Sequence, residues 1–174
     1  DKHPSTSKGV ATKEYLLWVS MLTRCYSDRY HKLQDSYKDC KASVNFQHYT
    51  YFYEWCNQQI GFNDNWELDK DLLIKGNKIY SENSCVFLPS EINIALIKCK
   101  KRRGNYPIGV SYHIRRNKFV ARVNIGEANT KSLGSFDTAI EAFNAYKTAK
   151  EAYLKELAEK WKDAIDPKAY NALI

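Results

Sequence analysis

Apolar residues near the start of the chain recur at helical spacing. Tyr15, Trp18, Leu22 and Cys25 fall at i, i+3, i+7 and i+10, one face of a helix. Thr12 stands just ahead as an N-cap, so the pattern predicts a helix from there to about Tyr26. Residues 1–11 are polar and unpatterned and read as a loose lead-in; residues 27–43, polar and Tyr-rich, read as loop with a short helix. A second helix is expected from about Phe46 to Gln59. Tyr49, Phe52, Cys56 and Ile60 line one side of it, and Tyr53 and Trp55 widen that side. Aromatics at this spacing read as core.

From Trp66 the pattern shortens. A brief strand ends in the charged triplet Asp69-Lys70-Asp71, and a turn rich in Lys, Gly and Asn follows over residues 75–78. A second apolar run, Cys85 to Leu88, leads into Pro89, a residue tolerated at the first position of a helix. The expected order is strand, loop, strand, helix.

After residue 107 the period becomes two. Ile108, Val110, Tyr112 and Ile114 alternate with Gly109, Ser111, His113 and Arg115. Asn117 makes a turn. Phe119, Ala121, Val123 and Ile125 then alternate with Lys118, Val120, Arg122 and Asn124. A short third strand is predicted from Thr130 to Leu133, with Gly134-Ser135-Phe136-Asp137 turning the chain. Thr138 and Glu141 have the spacing of a capping box, opening a long helix to about Trp161. Its expected apolar face is Ala139, Phe143, Tyr146, Ala149, Tyr153, Leu157 and Trp161. An antiparallel three-stranded sheet backed by one long helix follows, and the fold class is α+β. Residues 164–174 pass a Pro and end apolar.

Composition sharpens this picture chiefly through charge. The 174 residues carry a net +7, but residues 1–97 hold 11 basic and 12 acidic side chains, and residues 98–174 hold 16 and 8. The whole positive excess therefore sits in one half, the footprint of a nucleic-acid module. Lys98, Lys100, Lys101, Arg102 and Arg103 form a basic run, and Gly104-Asn105-Tyr106-Pro107 stops any helix there. The expected domains are 1–99, a basic linker 100–106, and 107–174. The five cysteines include no C-x-x-C pair, so a structural zinc is not expected. Their odd number and the absence of a signal peptide favour reduced thiols in a cytoplasmic setting. No apolar stretch approaches a membrane span.

The stretch from Trp66 to Asn93 resembles the ββα-metal core of the H-N-H endonucleases. The resemblance implies a divalent metal, Mg²⁺ or Mn²⁺, held by Asp69 and Asn93. Lys70 stands where the family has its His base, Ser84 where it has a propping Asn, and Asp71 is an alternative ligand or base. The aromatic helices ahead of it look like the preamble of phage H-N-H proteins.

The stretches GVSYHIRRNKFVARV and SLGSFDTAIEAFNAY are similar to the DNA-binding domain of APETALA and ethylene-response factors, which also occurs in phage homing endonucleases. In that family the sheet face away from the helix lies in the major groove of duplex DNA. By position that face is Ser111, His113, Arg115, Arg122, Asn124, Thr130 and Ser132. Arg115, Arg122 and Asn124 are types that pair with base edges. Lys101, Arg102, Arg103, Arg116 and Lys118 suit phosphates. No acid occurs among residues 98–126.

The resemblances imply a homing-endonuclease-like protein, acting in a host cytoplasm if phage-encoded, whose nuclease motif lacks its usual His. Two other readings stay open. One is a DNA-binding regulatory protein on a scaffold that no longer cuts. The other is a phage factor whose partner is a host or phage protein.

Overall fold

The computed structural model describes residues 2–97, 105–126 and 129–174. Helices and small sheets mix in an α+β arrangement, and the chain divides into two compact units. Asp1–Pro89 and Asp163–Ala172 make the first, Ser90–Lys162 and Leu173–Ile174 the second. The division falls ahead of the basic run at which the sequence places its boundary, and most of the tail joins the first unit.

The lead-in is more ordered than its polarity suggests. β1 (Thr6–Ser7) and β2 (Val10–Ala11) form a two-residue antiparallel ladder. α1 (Lys13–Tyr26) begins where the sequence places it, with the Thr12 hydroxyl accepting from the Tyr15 amide. Met21 and Cys25 are its buried residues, and Leu17, Trp18 and Leu22 pack against the core. α2 (Asp28–Leu33) and β3 (Lys41–Ala42) follow.

The second predicted helix starts later than its periodicity suggests. Residues 45–47 form one tight turn, His48 is extended, and α3 (Tyr49–Asn57) begins after it. Ile60, expected on the buried face, lies beyond the helix and is exposed. Phe46 still reaches the core from the preceding turn: its carbonyl accepts from the Trp18 indole at 2.9 Å, and its ring meets Phe52 edge-on at 5.1 Å. Trp55, Phe62 and Phe87 continue this aromatic cluster. Burying such rings is the largest apolar contribution to the unit, roughly 1.5–3 kcal/mol for each large side chain.

Two small ladders close the unit. β4 (Glu67–Asp69) pairs antiparallel with β6 (Val86–Leu88), Leu68 opposite Phe87. Between them β5 (Ile79–Tyr80), which the sequence pattern did not suggest, pairs in parallel with β3. Burial of Val86, Phe87 and Leu88 explains the unbroken apolar run.

The second unit begins with α4 (Ser90–Leu96), one residue after Pro89. Its sheet is a meander of β7 (Val110–His113), β8 (Lys118–Asn124) and β9 (Thr130–Phe136). Asn117 turns the first hairpin with φ 50°, the left-handed conformation that Asn tolerates. β9 runs further than expected. Residues 134–136, read from sequence as a turn, remain in the ladder, and the irregularity is instead a bulge at Leu133 between the pairs Arg122–Ser132 and Ala121–Gly134.

α5 (Ala139–Trp161) carries the expected capping box: the Thr138 hydroxyl accepts from the Glu141 amide, and the Glu141 carboxylate accepts from the Thr138 amide. Ala142, Tyr153, Leu157 and Ala158 are its buried positions. Gly109 (φ 78°) lies so close to the Tyr146 ring that a Cβ there would stand 2.0 Å from it, which fixes how tightly helix and sheet meet. At the end of α5, Lys160 and the Trp161 indole both donate to the Glu91 carboxylate of α4, at 2.6 and 3.0 Å. α6 (Pro167–Leu173) ends the chain. Among the described residues no helix is long and apolar enough to cross a membrane.

Candidate functional site

Antiparallel pairing puts directly opposed residues on the same face of a sheet. Ser111 opposes Val120, His113 opposes Lys118, Arg122 opposes Ser132 and Asn124 opposes Thr130. All these residues therefore share one face. The bulge at Leu133 matters here, because it holds Ser132 and Thr130 in phase with Arg122 and Asn124. Val110, Tyr112, Phe119, Ala121 and Val123 share the other face, where Ala121 and Val123 are fully buried.

Ser111, Arg122, Asn124, Thr130 and Ser132 are exposed. Val120, buried among them, is the apolar floor of that face. Asn124 accepts from the Gly126 amide at 2.8 Å, holding its side chain against the next turn. Arg115 and Arg116 occupy a single tight helical turn at the hairpin tip. Lys118, expected to meet phosphates, donates to the exposed Asp137 carboxylate. Ile114, expected on the helix-facing side, is 84% exposed, because that turn rotates it out of the strand alternation. Lys101, Arg102 and Arg103 lie outside the described residues.

The nuclease-like stretch has a different character. Asp69 ends β4, and one carboxylate oxygen accepts from the amides of Asp71 at 2.9 Å and Leu72 at 2.7 Å. Burial pushes its carboxyl above the ordinary carboxylate range, and those two amides offset only part of the rise. Lys70 is buried. Its amine donates to the Asp71 carboxylate at 2.5 Å and to the Asn77 carbonyl at 3.2 Å, beside the Tyr80 ring. It is thus committed as an internal donor and does not face solvent as a base would.

Asn77, to which the sequence assigned no role beyond the turn, also props the loop. Its amide group donates to the carbonyls of Lys70 at 2.7 Å and Ile79 at 2.6 Å, and its oxygen accepts from the Ile79 amide at 3.0 Å. Ser84, assigned the propping position, is buried and holds the end of the same loop: it donates to the Ile79 carbonyl at 2.7 Å and accepts from the Ser81 amide. The available signal was Gly76-Asn77, since Asn in a turn braces nearby backbone with its own amide.

Asp69 and Asp71 are the carboxylates of this loop; one oxygen of the first accepts two amides and the second takes the Lys70 amine. Asn93, the other expected ligand, stands on α4 in the second unit. Among the described residues no group of three or more His, Cys, Asp or Glu side chains gathers at one place.

Against protein-family models, curated proteins and solved structures, the chain finds no match.

Proposed function

We propose that this protein binds duplex DNA through the outward face of β7, β8 and β9, and that its H-N-H-like stretch serves as scaffold. The observation that carries this reading is the strand register. It gathers Ser111, His113, Arg122, Asn124, Thr130 and Ser132 on one face of the sheet, in a segment that contains no acid from residue 98 to 126. Arginine and asparagine side chains there can meet purine edges bidentately, and the serine and threonine hydroxyls can join them. Arg116 at the tip adds a cation where a strand of phosphates would pass, and Arg115 beside it is of a type that pairs with base edges. The likeness to the APETALA-type domain leads to the same face and the same groove.

The buried Lys70 amine favours DNA binding without cleavage over the nuclease reading. General-base assistance needs a group within reach of water, and this amine is turned inward to Asp71 and Asn77.

Fluorescence anisotropy with duplex DNA across a salt series tests the binding. Affinity should fall linearly with salt on logarithmic axes. Arg122→Ala should cost roughly 1–3 kcal/mol at a selected site and relax specificity there, whereas Arg116→Ala should weaken all sequences alike. Salt-insensitive or absent binding would overturn the proposal. A plasmid-nicking assay in Mg²⁺ or Mn²⁺ tests the second part: no Asp69-dependent cleavage is expected, and nicking that Asp69→Ala removes would reinstate the nuclease.

A further inference from the structure

An exposed apolar side chain is ordinary when it stands alone on a surface. Ile114 does not stand among polar residues at random. At 84% exposure it is the most exposed large hydrophobic side chain among the described residues. It sits at the tip of the β7–β8 hairpin, directly followed by Arg115 and Arg116. Together with Tyr112, His113 and Arg115 it lines a shallow open depression of about 370 Å³. His113 contributes to the lining, while its Nδ1 is itself buried and has no hydrogen-bond partner among the described residues.

The tip is also braced. The Asn117 amide donates to the Ile114 carbonyl at 3.1 Å, and the Tyr112 hydroxyl donates to the Asn117 side-chain oxygen. Behind it the Tyr112 ring lies 5.0 Å from Phe119, which meets Tyr106 edge-on at 5.2 Å. An isoleucine on such a support keeps its place without being buried by its own protein.

The chemistry presented is one apolar group beside a guanidinium. In the major groove, thymine shows a methyl group beside the O4 acceptor, whereas cytosine shows an amino donor and no methyl. A methyl group would meet Ile114, and an acceptor oxygen would meet a donor of Arg115; a cytosine amino group would find neither.

We propose that Ile114, with Arg115 beside it, forms a contact for the 5-methyl edge of a thymine, making Ile114 a specificity-determining residue. This rests on the DNA-binding reading above. The test begins with selection of preferred sites for the full chain from random duplex DNA. Each thymine of the selected site is then replaced by deoxyuridine, which lacks only the methyl group. For the unaltered protein, one replacement should weaken binding roughly 4-fold, the worth of one methyl group taken from water, and replacement by cytosine should weaken it further. Ile114→Ala should lose the sensitivity to deoxyuridine at that position, and Ile114→Val should keep it. Uniform indifference to deoxyuridine, a selected site without thymine, or sensitivity that survives Ile114→Ala would overturn the inference while DNA binding stands. Failure to select any site, with no salt-dependent binding, would overturn the DNA-binding reading together with it.

Discussion

Asn77 offers the most direct test of how the β4–β6 loop is held. Its side chain makes three hydrogen bonds, two donated to the carbonyls of Lys70 and Ile79 and one accepted from the Ile79 amide. Each such bond contributes about 0.5–1.5 kcal/mol net, and the side chain is only partly buried, so Asn77→Ala should cost about 2–3 kcal/mol. Asn77→Asp keeps the acceptor but loses both donors and sets a carboxylate against two carbonyls. It should therefore lose most of the same stability despite its near-identical shape. Urea unfolding read by tryptophan emission reports this, since Trp18, Trp55 and Trp66 all belong to the first unit. Hydrogen exchange gives the local readout: the Asp71 and Leu72 amides, held by Asp69, should lose protection as the loop loosens. An unchanged midpoint with unchanged exchange in Asn77→Ala would refute the argument that Asn77 pins the loop.

Two further expectations concern each unit separately. Gly109→Ala should destabilise the second unit by roughly 2–4 kcal/mol, because left-handed strain adds to a clash with the Tyr146 ring; an unaltered melting temperature would contradict it. Burial pushes the Cys25 and Cys85 thiols up to about 12, so at pH 8 both hold almost no thiolate and should resist alkylation until the protein unfolds; mass mapping of rapid native labelling at either would refute this.

The helices were the more legible part of the sequence. α1 and α5 announce themselves by cap and period, Thr12 and Thr138 each standing where an N-cap hydroxyl is observed. The apolar stripe cannot show where the helix around Phe46 begins, because Phe46 is buried whether it lies in a helix or in the turn before one. The candidate face of the sheet was legible because alternation fixes the face of every residue once the register is known. Ile114 escaped that logic when the backbone left strand geometry at the hairpin tip. Leu133 did so through a bulge, which alternation cannot foresee. The β4–β6 loop was the least legible. A resemblance can set Lys70 and Ser84 beside positions of a motif, but whether an amine turns inward, or which polar residue reaches a carbonyl, depends on the packing of Tyr80 and the path of residues 70–79.

The parallel pairing of β3 with β5 has a kinetic consequence. Lys41 opposes Ile79, so the chain must close a loop spanning residues 41–79 before that ladder exists, and loop closure is paid in entropy before any bond rewards it. The three-stranded sheet of the second unit makes no such demand, since β7, β8 and β9 pair only with sequence neighbours and α5 follows at once. Folding rates fall as contacts become less local. Refolding should therefore be biphasic: the C-terminal meander forms in the fast phase, and the aromatic core around Phe46 and Trp55 reports the slow one.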